Sequence, residues 1–260
     1  MPMKMTWPAA GHVAQDRGNM LRSIRHSGYR RQTGAALPTP APIVMRQAGA
    51  SHGVIYVAYG DRARASAQES IKSLKTIHPG IQVAVVSDQP INGAGALIIQ
   101  PELDKGAREY KTSIYSYSPY DYTLYLDADT QVVGSLQAGY DILSQGWDMA
   151  AALDYKPTVR GVDHLPRDDV KRTVEVIGNA DYPHYNTGLL FFRRCPEVEQ
   201  FFCLWHEQWE VFHYRDQGAF VRALHLSQIK LYSLSWQWNT HRRNRATHVF
   251  HAHHSVARQP

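Results

Sequence analysis

The chain has 260 residues, 43% hydrophobic and 11% aromatic, which suits one full hydrophobic core and excludes a disordered polymer. Its formal charge is +5, but seven of the 28 basic residues and one of the 23 acidic residues precede Gly53, leaving −1 on the rest. Nucleic-acid binding needs basic residues clustered within the fold, and the one such cluster is Arg242, Arg243 and Arg245, so no specific nucleic-acid partner is expected.

Residues 1–51 are basic and scattered with Pro, Gly and Ser, without a sustained strand or helix period. They are predicted to be a flexible extension; the alternative is a basic arm making peripheral contact with an anionic membrane. No segment has the roughly 18–20 apolar residues of a membrane span, and no apolar run suggests export. Two cysteines, Cys195 and Cys203, are too few for a disulfide framework or a cysteine-only zinc site, and a reducing, cytoplasmic location is expected.

A single domain is predicted over 52–260. Val54 to Tyr59 is a buried strand, closed by Gly60-Asp61, with Asp61 as a helix cap. Ala67, Ile71, Leu74 and Ile77 recur at helical spacing, and Pro79-Gly80 ends the helix. Ile81 to Val86 and Ala96 to Ile99 read as further strands. Continuous apolar strands alternating with helices predict an α/β fold with a mostly parallel central sheet flanked by helices. Ligands of such sheets bind beyond the carboxyl ends of the strands, where Tyr59-Gly60 and Ser87-Asp88 fall. A helix over Ala107 to Tyr117 and a strand from Tyr122 to Leu126 follow. Later elements are a strand at Gly188–Phe192, helices over Glu197–Glu210 and Gln217–Leu226, and a strand at Thr247–His251.

The strand from Tyr122 runs directly into Asp127-Ala128-Asp129. Two acids one residue apart on an extended chain share a face, and their charge at the end of an apolar strand calls for compensation. A hard divalent cation supplies it, with a diphosphate as a further oxygen donor. On its own, Asp-x-Asp is a frequent motif and reads equally as two solvated aspartates at a turn.

The longer stretch Tyr125-Leu126-Asp127-Ala128-Asp129 resembles the corresponding segment of GT-A-fold glycosyltransferases, especially glycosyltransferase family 8. Further pieces follow in that family's order: Lys111 on the preceding helix, Asn186-Thr187-Gly188, Asp216-Gln217 at a helix start, and His251 on the last strand. The resemblance implies a GT-A fold and a metal-dependent transfer of sugar from a nucleotide-diphosphate donor, a UDP-sugar, to a hydroxyl acceptor, with retention at the anomeric carbon. It implies that Asp127, Asp129 and His251 hold a divalent cation, Mn2+ in first place and Mg2+ as the alternative. It implies that Ala58, Tyr59 and Gly60 line the nucleobase pocket, and that Asp127 reaches the donor ribose. Lys111 would touch donor phosphate or sugar, and Asn186, Asp216 and Gln217 would hold the transferred sugar. Gln217 has no ionisable group and cannot be a charged nucleophile or base.

His253 shares a strand face with His251, so the residues alone leave both as metal ligands. The chain departs from the family after His251: His254 stands where many members have glycine, and the usual lysine-proline-tryptophan ending is absent. Arg258 or the cluster Arg242, Arg243 and Arg245 are candidates to replace that phosphate clamp. Trp236 and Trp238 read as core residues, the commoner place for large aromatics. Two other functions fit parts of the sequence. Nucleotidyl transfer on a related fold would want a glycine-rich phosphate loop, where this chain has Tyr59-Gly60-Asp61-Arg62-Ala63. A non-catalytic metal- or nucleic-acid-binding role would leave the Asp127 and Asn186 segments unexplained.

Overall fold

A computed structural model describes residues 51–91, 96–101 and 106–252. The predicted extension, except Ser51, lies outside the described residues, as do His253, His254 and Arg258. The order is β1 (His52–Ala58), α1 (Asp61–Ile77), β2 (Gln82–Ser87), β3 (Leu97–Ile99), α2 (Ala107–Thr112), α3 (Ile114–Tyr117), β4 (Tyr122–Asp127) and β5 (Thr130–Val132). Then come α4 (Gln137–Ser144), β6 (Met149–Thr158), α5 (Arg167–Ile177), β7 (Pro183–Arg193), α6 (Pro196–Glu210), α7 (Gln217–Leu226), β8 (Leu231–Leu234), β9 (Asn239–Thr240) and β10 (Val249–His251).

The main sheet has seven strands in the order β3-β2-β1-β4-β7-β6-β8. All neighbours pair in parallel except at β7, which is antiparallel to both β4 and β6. Six strands therefore end at one rim, and β7 begins there. Strand alternation splits the core into two layers. Ile55, Val57, Tyr125, Leu190 and Phe192 face a layer with Phe201, Trp205 and Phe220 from α6 and α7. Val54, Tyr56, Leu124, Leu126 and Phe191 face the other, with Ile71 and Leu74 of α1 and Tyr140 of α4. With both faces covered, the strands read as unbroken apolar runs.

A small second sheet, β5-β10-β9, brings the end of the described chain back to the residues just after β4. His251 pairs with Thr130, and the Ala252 amide donates to the Asp129 carbonyl at 2.8 Å.

Several expectations need correction. Asp61 is not the cap of α1: Gly60 occupies that position and no side chain caps the helix. The helix expected over Ala107 to Tyr117 breaks at Ser113 into α2 and α3. The strand expected from Gly188 begins at Pro183, and its first half includes the buried polar residues His184, Asn186 and Thr187. Trp236 is partly exposed and outside the core, whereas Trp238, also partly exposed, packs against the core beside Phe191 and lies flat on the His248 ring at 3.5 Å between centroids.

Candidate active site

Each site residue that the resemblance implies can be placed on this rim. Asp127 ends β4, and the ladder that matches Leu126 with Leu189 brings Gly188 beside it. Asn186 and Thr187 precede Gly188 at the start of β7. Lys111 comes from α2, Asp216 and Gln217 from the start of α7, and His251 from the end of β10.

Asp127, Asp129 and His251 offer ligand atoms that all lie within 4.8 Å of one another. His251 Nε2 stands 3.0 Å from Asp129 Oδ1 and 3.7 Å from Asp127 Oδ2. Burial opposes protonation of His251, but its hydrogen bond to Asp129 and the charges of Asp127 and Asp129 hold its pKa above the usual histidine value. Gly188 keeps the space clear. A Cβ there would lie 2.7 Å from Asp127 Oδ2 and 2.7 Å from His251 Cε1, too close to coexist with either. Two carboxylates and an imidazole around such a cradle fit a divalent cation better than a soft metal. Among the described C-terminal histidines, His251 is the one that reaches both aspartates; His241 meets it from behind, its Nδ1 3.1 Å from the His251 carbonyl oxygen.

Behind the metal-type cluster lies a buried ionic knot. Lys111 Nζ is 3.0 Å from Asp127 Oδ1, 2.9 Å from Asp216 Oδ2 and 3.2 Å from Thr187 Oγ1. The Thr187 hydroxyl donates to Asp216 at 2.6 Å, and the Tyr125 hydroxyl donates to Asp127 at 2.6 Å. Burial works against the Lys111 charge, yet Asp127 and Asp216 offset it and hold the ammonium's pKa above the ordinary lysine value. Burial would raise the Asp216 pKa, but Lys111 and Thr187 pull it below the ordinary carboxylate value. Burial, then the Asp127 charge, keeps the Tyr125 phenol protonated and therefore a donor. Across the two clusters, three carboxylates (Asp127, Asp129 and Asp216) face one lysine, which pairs with Asp127 and Asp216, and one imidazole, which pairs with Asp129. The surplus of negative charge is what a bound cation would offset.

Asp216 stands at the N-terminus of α7 without capping it; its side chain serves the knot instead. The buried Trp205 indole donates to the Asp216 carbonyl at 2.9 Å and fixes that corner. Gln217 turns toward His164, with Oε1 2.5 Å from Nε2. Asn186 Oδ1 accepts from the Gly188 amide at 3.0 Å and from Asn239 Nδ2 at 3.1 Å, while among the described residues its own Nδ2 has only a 3.5 Å contact to the Asn239 carbonyl. The Asn186 amide group is thereby oriented with donor capacity to spare.

At the β1–β2 end of the rim, Ala58 is buried at the end of β1, and Tyr59 stacks on Tyr110 at 4.8 Å. The Gly60 amide donates to Asp88 Oδ1 at 3.2 Å, and Arg64 pairs with the same carboxylate. The structure thus assembles Asp127, Asp129, His251, Lys111, Asn186 and Asp216 around one centre. Gln217 sits at its edge, and Ala58, Tyr59 and Gly60 form a separate station along the rim.

Sequence reasoning missed Thr187, Tyr125, Asn239, His164 and His184. Tyr125 was legible, since it is two residues before Asp127 and shares its strand face. The others had no local signal. His184 is buried, and neither ring nitrogen has a partner among the described residues; burial pushes its pKa down to about 4.

No family model and no curated protein matches the sequence. Solved structures do. The galactosyltransferase LgtC, a family 8 enzyme solved with donor and acceptor sugar analogues, is 18% identical, with 76% of this chain and 86% of that chain covered at a TM-score of 0.53. Mouse xyloside xylosyltransferase 1 is 11% identical, covering 81% of this chain and 100% of that chain at 0.53. The bifunctional glycosyltransferase WbbM is 14% identical, covering 74% of this chain and 40% of that chain at 0.53. At such identities the likeness is one of architecture: this chain has the GT-A fold of glycosyltransferases.

Proposed function

We propose that the chain is a metal-dependent glycosyltransferase that moves a sugar from a UDP-type nucleotide donor to a hydroxyl acceptor, with retention. The observation that carries this reading is the convergence of Asp127, Asp129 and His251 within 4.8 Å at the carboxyl rim of a GT-A sheet. Those three residues would hold the cation, with Mn2+ favoured over Mg2+ by the imidazole. A divalent ion held there would supply charge stabilisation to a departing diphosphate beyond that given to the intact donor.

The chain's own groups define the rest. Tyr59 and Gly60 line the station for the base, at the β1–β2 end. Lys111 lies between Asp127 and Asp216, and contributes a fixed positive charge beside the diphosphate and the transferred sugar. Asp216, kept ionised by Lys111 and Thr187, accepts hydrogen bonds from sugar hydroxyls. Asn186 donates to the sugar from its underused Nδ2, and His164 holds the Gln217 amide in place. Position is what these neutral amides supply, since neither can carry a proton away at neutral pH.

The test is thermal unfolding of the wild type and of Asp129→Ala with a panel of nucleotides, with and without Mn2+. A ligand at about a hundredfold its Kd stabilises the fold by about 2.7 kcal/mol. UDP is expected to stabilise the wild type only with Mn2+, and to leave Asp129→Ala unchanged. Absence of nucleotide stabilisation with every divalent ion would overturn the reading.

A further inference from the structure

We infer that Tyr155, Trp236 and Arg242 form an acceptor platform that selects a saccharide bearing an acidic group. The inference rests on the proposed donor chemistry but on a different part of the rim.

Along the sheet, the stations for base, metal and transferred sugar lie on β1–β2, β4 and β7. The next strands are β6 and β8, and their carboxyl ends open on the same rim. At the ordinary spacing of about 4.8 Å between strands, β6 stands roughly 10 Å from β4, about the reach of one sugar beyond the transferred ring. An acceptor must approach from somewhere, and the β6–β8 end is the direction that the donor stations leave free.

What stands there is not an ordinary surface. β6 loses register with β7 between Leu153 and Thr158, which lifts the intervening residues off the ladder. Such irregularities beside active sites re-aim side chains. Tyr155, within this stretch, is 48% exposed. Trp236, just past the end of β8, meets it edge-on at 5.1 Å and 81°. The guanidinium of Arg242 lies 4.1 Å over the Tyr155 ring. No carboxylate among the described residues pairs with Arg242, Arg243 or Arg245. Arg242 follows His241, whose ring lies 4.7 Å from that of His251, so the platform adjoins the candidate metal centre.

The geometry has a chemical reading. Stacking on tyrosine uses the face of a guanidinium and leaves its in-plane N–H donors free, in the fork that matches a carboxylate or phosphate. An exposed tyrosine and a partly exposed tryptophan offer apolar surface to the C–H face of a pyranose, with polar edges for its hydroxyls. An uncharged sugar would use the aromatic surface and leave Arg242 idle. An acidic sugar uses both. The same guanidinium could instead meet the donor diphosphate, so the anion has two sources and the experiment must separate them.

Full-length protein is titrated with methyl β-glucuronide, with methyl β-glucoside and with UDP plus Mn2+, the sugars followed by saturation-transfer NMR. The wild type is expected to bind the glucuronide at least tenfold more tightly than the glucoside. Arg242→Ala should remove that preference while leaving glucoside and UDP binding unchanged, and Arg242→Lys should restore part of it. Tyr155→Ala should weaken both sugars. Both side chains are exposed, and unchanged unfolding temperatures would verify intact folding. If Arg242→Ala weakens UDP binding instead, the guanidinium serves the donor and the platform is refuted while the glycosyltransferase reading stands. Equal binding of the two sugars, or none, also refutes it. If the glucuronide binds but UDP with Mn2+ does not, the donor reading fails and the acceptor role goes with it.

Discussion

Helix α7 carries two buried ion pairs of similar chemistry and opposite meaning. At its start Asp216 meets Lys111, and in its middle Arg222 meets Asp169. The Arg222–Asp169 pair is sealed, each side chain 1% exposed. Its hydrogen bonds close on themselves: Arg222 also donates to Thr173 Oγ1 at 2.7 Å, to Gln208 Oε1 at 3.1 Å and to the Gln208 carbonyl at 3.0 Å. Gly218 lets the helix approach so closely that a Cβ there would lie 2.6 Å from the Asp169 carboxylate. The Lys111 knot has carboxylates in excess and opens to the rim through Asp127, whose side chain is 23% exposed. A balanced, closed pair holds elements together, whereas an unbalanced, open one is arranged for something yet to bind. Buried charge alone does not distinguish a site; the residual charge and the access do.

Substitutions at the sealed pair should have the largest effect on stability. Asp169→Ala leaves the Arg222 guanidinium buried without its carboxylate and should cost about 3–5 kcal/mol, measured by urea unfolding. No divalent ion should recover that loss. A cost below 1 kcal/mol would mean that water reaches Arg222 and that the pair is not sealed.

His184 gives the next effect, and it appears as a pH dependence. Its folded pKa, pushed down to about 4 by burial, lies below the unfolded value of 6.5. Between those values the unfolded chain binds the extra proton, so stability falls as the pH drops from 6.5 toward 4. The loss attributable to this residue approaches about 3 kcal/mol. His184→Phe should flatten that part of the unfolding profile; an unchanged slope would place its origin elsewhere.

Lys111→Met sharpens the contrast between the two pairs. It leaves Asp127 and Asp216 without their shared cation, but Asp127 keeps contact with water and the Thr187 hydroxyl still donates to the buried Asp216, so the cost should be smaller, about 2 kcal/mol. Mn2+ should restore part of this loss, which it cannot do for Asp169→Ala. Failure of any divalent ion to do so would separate the knot from the metal cluster.

The smallest stability effect should come with a large functional one. Gly188→Ala places a Cβ 2.7 Å from the Asp127 carboxylate and the His251 ring, so both must turn out of the cradle, while no buried charge loses its partner outright. Isothermal titration should then show Mn2+ affinity reduced at least tenfold in a protein that still folds. Retained affinity would mean that the cation sits away from Gly188.

Much of the β1–β4 half was legible because strands buried on both faces are unbroken apolar runs, as Val54–Tyr59 and Ile81–Val86 are. The later half was less so. β6 opens with Met149-Ala150-Ala151-Ala152, and alanine favours helix over strand, so no strand was expected there. β7 hid its first half because His184, Asn186 and Thr187 are polar, although all three are buried. Thr187 is buried against Lys111 and Asp216, and Asn186 against Asn239, contacts with distant elements that no local pattern records.

The sequence by itself determined the alternation of strands and helices and the position of Asp127 and Asp129 at a strand end, since these depend on neighbours along the chain. It also held, through ordered motifs, the candidates Lys111, Asn186, Asp216, Gln217 and His251. Only the tertiary structure decided that β7 runs against its neighbours, bringing Gly188 beside Asp127, and that a separate three-stranded sheet returns His251 to Asp129 across 122 residues. It alone joined Tyr155 to Arg242 and left Trp236 at the surface. Those contacts follow from strand order and direction, which the packing of whole elements sets and which short stretches of sequence do not encode.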